Sequence, residues 1–135
     1  MGRLSMLLKS SRRRPEGFSL VELMIVVLIM SILAGIVYPS YNQYLYETRR
    51  SDAWAALSAA AAAQERWYSI NYSYTDDISN LGGGSSPEGF YTISVVADGA
   101  SFTLTATAAT VQAADSGCTA LTLDQFAIQS PVACW

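Results

Sequence analysis

Ser-Arg-Arg-Arg-Pro-Glu-Gly-Phe-Ser-Leu-Val-Glu, residues 11–22, carries the reading of this chain, because here a basic leader meets an apolar run holding one carboxylate. Between residues 18 and 37 the only ionisable side chain is Glu22. At ~1.5 Å per residue such a run makes a helix of about 30 Å, the thickness of a bilayer core. A carboxylate inside that segment costs at least ~2.5 kcal/mol, so an intramembrane charge marks function. Glu22 therefore needs a cation. Cutting between Gly17 and Phe18 would create an α-amino group one helical turn away. An arginine from another protein, or protonation of Glu22 itself, would meet the same need. An ordinary secretory signal places its small-residue cleavage site after the apolar run, whereas Gly17 precedes it.

The pattern Gly17-Phe18-x-x-x-Glu22, followed by an apolar helix, resembles the class III signal of type IV prepilins. The resemblance implies a prepilin peptidase that cleaves after Gly17 on the cytoplasmic side and N-methylates Phe18. It also implies that Glu22 pairs with the amino terminus of a neighbouring subunit during filament assembly.

The charge balance hides an asymmetry. Arg3, Lys9, Arg12, Arg13 and Arg14 lie in the leader, so the positive-inside rule holds that end in the cytoplasm and sends the C-terminal part across the membrane. Beyond Gly17 three basic side chains, Arg49, Arg50 and Arg66, stand against ten acidic ones, a balance of −7. Such a surface repels phosphate backbones, so nucleic acid is not expected as a partner. Arg49 and Arg50 form a local basic pair, read as solvated charges on a helix.

Cys118 and Cys134 both fall in the part read as facing an oxidising compartment, where one bridge is expected. Closing a loop of this size contributes ~3 kcal/mol in the chain-entropy model. A metal site would need more ligands, and a nucleophilic cysteine would lack its imidazole base, since the chain has no histidine. The near-terminal pair followed by Trp135 resembles the disulfide-bounded C-terminal region of type IVa pilins. The Cys134-Trp135 ending is similar to PilE-like minor pilins.

A single helix is predicted from about residue 18 to residue 68 or 71. Pro39 lacks the N–H for a helical bond and clashes with the carbonyl four residues back, which predicts a kink or local melting at residues 35–38. Ala53, Leu57, Ala60, Gln64 and Trp67 then recur at spacings of four and three, an amphipathic stripe that should pack on a sheet. Residues 72–89 read as a polar, Gly-rich surface loop. Tyr91, Ile93 and Val95, then Phe102, Leu104 and Ala106, alternate with polar neighbours as half-buried strands do. Asp98-Gly99 between them predicts a type I′ hairpin turn. Ala120 to Asp124 predicts a third strand.

The fold class is therefore α+β: a long N-terminal helix packed on a small antiparallel sheet of three or four strands. The type IV pilin resemblance covers nearly the whole chain. It implies a leader over residues 1–17, a transmembrane and assembly helix over 18–38, and a periplasmic globular domain over 39–135. Catalysis has little support without histidine, and neither cofactor nor metal is expected. Asp76, Asp77, Asp115 and Asp124 offer oxygen ligands for calcium, but their spacing matches no loop motif. Tyr38, Tyr41, Tyr44 and Tyr46 suit an interfacial aromatic belt. Tyr68, Tyr72 and Tyr74 are expected to pack at the helix end. The expected function is a structural subunit of a type IV pilus, a PilE-like minor pilin held in the inner membrane before assembly. Its expected partners are other pilin subunits, the prepilin peptidase and the inner-membrane assembly machinery. Alternatives are a type II secretion pseudopilin, or a receptor-type minor pilin binding DNA or a surface.

Overall fold

The computed structural model describes residues 17–135. The leader lies outside the described residues except for Gly17. The chain forms two units, divided between Val37 and Tyr38.

The first helix, α1, spans Leu20–Asn71 and belongs to both units. It opens where the Leu23 amide donates to the Ser19 carbonyl at 3.2 Å. It closes at Tyr72, which sits in the left-handed region with φ 58° while its amide donates to the Tyr68 carbonyl at 2.8 Å. Glycine usually fills that closing position, because a Cβ is disfavoured there. Pro39 lies inside α1 and the helical backbone is continuous across it, so the local melting expected at residues 35–38 does not occur. In the first unit every side chain of residues 20–37 is exposed. That run is long and apolar enough to cross a membrane. A helix that is hydrophobic all round asks for lipid or other helices as its solvent.

In the second unit the amphipathic part of α1 buries Ala53, Leu57, Ala60 and Gln64. They meet a four-stranded antiparallel sheet of order β1-β2-β3-β4, made of Tyr91–Ala97, Phe102–Ala108, Ala120–Asp124 and Gln129–Ser130. Ile93 stands opposite Ala106 and Leu104 opposite Leu123, all buried. Their neighbours Thr92, Thr103 and Thr107 face water. This period of two is what a sheet covered on one face requires. Leu57 and Leu104 have no exposed surface, and each contributes roughly 1.5–3 kcal/mol by leaving water.

Three expectations need correction. The β1–β2 connection has four residues, 98–101, between the paired Ala97 and Phe102. Only Gly99 has positive φ, 88°, so the turn is not type I′; Asp98 organises it by accepting from the Ala100 and Ser101 amides. Residues 72–89 are not wholly surface. Leu81 ends a 3-10 turn, Ile78–Leu81, and is buried with Thr75 and Ser86. Finally, Tyr68 and Tyr74 pack together at 4.7 Å between ring centroids and Tyr74 meets Phe102 edge-on at 4.8 Å, but Tyr72 is 82% exposed.

Candidate assembly site

Gly17 and Phe18 precede α1 in non-helical backbone, and Phe18 is exposed. A Cβ on Gly17 would meet nothing within 4 Å among the described residues. Glu22 lies in the first turn of α1, where the helix dipole favours a carboxylate. It is exposed, and its side chain makes no hydrogen bond or ion pair among the described residues. Its nearest sequence neighbours are Leu20, Val21, Leu23 and Met24, so it is a lone charge on an apolar surface.

The rest of the polar chemistry fixes the second unit. Arg50 on α1 reaches Asp115 through two bonds of 2.8 Å, Nε to Oδ2 and Nη2 to Oδ1. The pair is nearly shielded from water, with 11% and 2% of the two side chains exposed. Asp115 holds the Arg50 guanidinium in its charged form and raises its pKa above the ordinary value. Gln112 Nε2 lies within 3.0 Å of both the Asp115 carboxylate and the Tyr91 hydroxyl. Burial pushes the Tyr91 hydroxyl pKa up, keeping it neutral. Asp52 accepts from the Ser86 hydroxyl and from the amides of Glu88 and Phe90 at 3.0 and 3.3 Å, tying the loop to α1. Arg49 lies over the Phe90 ring at 4.8 Å. Neither arginine of the basic pair is therefore simply solvated.

Cys118 and Cys134 form the expected disulfide. Trp54 on α1 donates from Nε1 to the Cys134 carbonyl at 3.1 Å and stacks on Trp135, with ring centroids 6.4 Å apart. The bridged segment is thus docked on the helix. Of the four aspartates offered as oxygen ligands, Asp115 pairs with Arg50, Asp77 caps the 3-10 turn, Asp124 holds the β3–β4 turn and Asp76, beside Asp77, is exposed. Sequence reasoning missed Arg50 with Asp115, Asp52 and Trp54. The available signal was a polar or aromatic residue beside the apolar stripe of α1.

Comparison with known proteins agrees with this geometry. The family described as "Type IV minor pilin ComP, DNA uptake sequence receptor" matches residues 39–122, and the prokaryotic N-terminal methylation motif matches residues 12–38. A solved structure of a type IV pilin from Shewanella oneidensis is 30% identical with a TM-score of 0.54, covering 67% of this chain and 97% of that one. The type IV major pilin protein PilA of Myxococcus xanthus is 38% identical over 69 residues, 51% of this chain and 31% of the relative. The fimbrial protein EcpC of Eikenella corrodens is 34% identical over 85 residues, 63% of this chain and 56% of the relative. The chain thus spans less than two thirds of the length of these curated relatives. With its long helix, its four-stranded antiparallel sheet and a family match over more than half of its length, the chain belongs to the type IV minor pilins.

Proposed function

We propose that this chain is a filament subunit that acts by packing and performs no catalysis. The leader ends at Gly17, Phe18 becomes the methylated N-terminus, and residues 18–38 hold the subunit in the inner membrane with residues 39–135 in the periplasm. Assembly machinery then moves it into the pilus. The observation that carries this reading is Glu22, a carboxylate without a partner among the described residues on an exposed apolar helix, one turn from the amino group that cleavage would release. Pairing the two exchanges an unpaired charge in lipid for a desolvated ion pair. The test is to follow the tagged chain in membranes and in sheared pili. Its presence in both, with Phe18 as the N-terminus of the sheared form, is expected. Absence from sheared pili overturns the subunit reading.

A second reading, direct DNA capture, is favoured by the description of the matching family. The charges of this chain oppose it. Arg50 is neutralised by Asp115, Arg49 is stacked on Phe90, and no basic side chain follows Arg66. DNA binding that follows phosphate contacts weakens steeply with salt. Gel-shift titration of the purified chain is expected to show no salt-sensitive complex, and a sequence-selective complex would move the function to DNA uptake.

A further inference from the structure

A second 3-10 turn, Thr110–Ala114, joins β2 to β3 in a conformation that its own sequence disfavours. Thr110 is β-branched yet sits in the left-handed region with φ 49°. Such a residue persists only where its surroundings over-determine it, and strain of this kind gathers at functional surfaces. Here the surroundings do so. The Ala109 amide donates to the Phe90 carbonyl at 2.8 Å just before the turn. Inside the turn Gln112 is fully buried, and its Nε2 donates to the Tyr46 carbonyl on α1 at 3.2 Å in addition to its contacts with Tyr91 and Asp115. With Gln112 drawn inward, Thr110, Val111, Ala113 and Ala114 are left exposed, Val111 by 57%.

The chemistry of this turn differs from that of the chain around it. Residues 108–114, Ala-Ala-Thr-Val-Gln-Ala-Ala, carry no charge, although the chain beyond Gly17 is strongly acidic. The next residue, Asp115, is neutralised by Arg50 and shielded from water. The turn is thus a neutral, apolar point held rigidly against α1. Its position is equally specific. The second unit begins at Tyr38, just past the run long and apolar enough to cross a membrane, and Tyr46 lies about 12 Å further along the helix. Between them Tyr38, Tyr41 and Tyr44 are exposed, as suits the headgroup layer. That layer adds about 5–7 Å beyond the hydrocarbon on each side. A spanning helix is commonly tilted by about 20°, which lowers one side of whatever it carries. An acidic surface is held off phosphate headgroups, whereas a neutral apolar turn can settle among them.

We propose that the turn at Val111 docks on the phospholipid headgroup layer of the membrane that α1 crosses, giving the unassembled chain a second point of contact with the bilayer. Val111, Ala113 and Ala114 supply the apolar contact, and Gln112 fixes the turn to α1 so that the contact is transmitted to the whole second unit. A single spanning helix leaves the unit it carries free to rotate about the helix axis. A second contact beside the helix removes that freedom and orients the subunit before it leaves the membrane.

This inference rests on the membrane reading proposed above but fails separately from it. Both native cysteines are bonded to each other, so an added cysteine is the single free thiol. Full-length Val111→Cys, Tyr38→Cys and Val96→Cys variants, labelled with an NBD fluorophore, are reconstituted at low protein-to-lipid ratio in vesicles of phosphatidylcholine and phosphatidylglycerol, with and without a headgroup nitroxide lipid. Val96 is 74% exposed near the end of β1 remote from Tyr91 and serves as the control. Probes at Tyr38 and Val111 should lose about three times as much emission to the nitroxide as the probe at Val96. Val111→Asp should bring quenching of a probe at Ala113→Cys down to the control level, and Val111→Leu should preserve it. Quenching at Tyr38 with none above the control at Val111 would overturn the proposal and leave the membrane reading standing. No quenching at either position would reject both. Quenching at Val111 that vanishes as the chain is diluted in lipid would assign the turn to a second copy and overturn the proposal as well.

Discussion

Arg50 and Asp115, sixty-five residues apart in sequence, form a two-pronged ion pair at 2.8 Å in which almost no side-chain surface remains wet. It ties α1 to the segment that follows β2. Removing one partner of a shielded pair leaves an uncompensated charge, which costs about 3–5 kcal/mol. Arg50→Met should destabilise the chain by that order in denaturant unfolding. Arg50→Met with Asp115→Leu should recover most of the loss, since apolar replacement of both partners removes the orphan. A double variant as unstable as the single one would refute the pairing argument.

Gly17→Val should fold normally, because no described residue lies within 4 Å of a Cβ there, yet accumulate unprocessed. Intact-mass analysis of the membrane fraction checks this. Recovery of mature chain starting at Phe18 from the variant would show that no cleft selects glycine.

Glu22→Ala removes an unpaired charge from the apolar helix, so membrane insertion should hold or improve while fibre incorporation falls. Glu22→Leu should behave likewise. Quantitative blotting of membranes against sheared pili separates the two steps, and equal incorporation of variant and parent would defeat the pairing role.

Breaking the disulfide should cost ~3 kcal/mol and undock the C-terminal segment. Cys118→Ser or Cys134→Ser should then expose Trp54, whose indole lies 3.1 Å from the Cys134 carbonyl. A red shift of tryptophan emission at low denaturant is expected. Unchanged emission would mean that the segment stays docked without its bridge.

Asp98 accepts from the Ser101 amide, the Ala100 amide and the Ser101 hydroxyl, which lowers its carboxyl pKa below the ordinary value. A depressed folded pKa means stability that is present above the unfolded value, about 4, and lost as pH falls through the folded one. Asp98→Asn should therefore flatten the decline of melting temperature below about pH 4. An identical acid decline in both chains would place the sensitivity elsewhere.

The elements legible in the sequence were those governed by short periods. The three-and-four spacing from Ala53 to Gln64 gave the buried face of α1, and alternation gave β1 and β2 within one or two residues. Partners far apart in sequence were not legible. Nothing local to Arg50 announces Asp115, and a buried aspartate such as Asp52 contradicts the usual preference until the amides of Glu88 and Phe90 are seen to satisfy it. The Asp98-Gly99 pair pointed to a hairpin, but its loop length depends on how Asp98 captures the amides ahead of it. At Glu22 the sequence was informative because the requirement is chemical: a single charge in an apolar run stands out without any fold.

Gln64 faces the loop with both ends of its amide, donating to the Thr75 carbonyl at 2.6 Å and accepting from the Thr75 amide at 3.0 Å. A side chain here stands in for one rung of a sheet and pins the point where the chain leaves the helix. The returning chain is pinned again where Asp52 grips residues 86–90. Between these two anchors Leu81 is buried in the core and the Gly84 carbonyl accepts from the Ile93 amide at 2.9 Å, so the loop is held to helix and sheet along its length. Substitutions confined to its exposed positions, such as Asp76 and Ser85, therefore alter the surface the subunit presents and leave its interior alone.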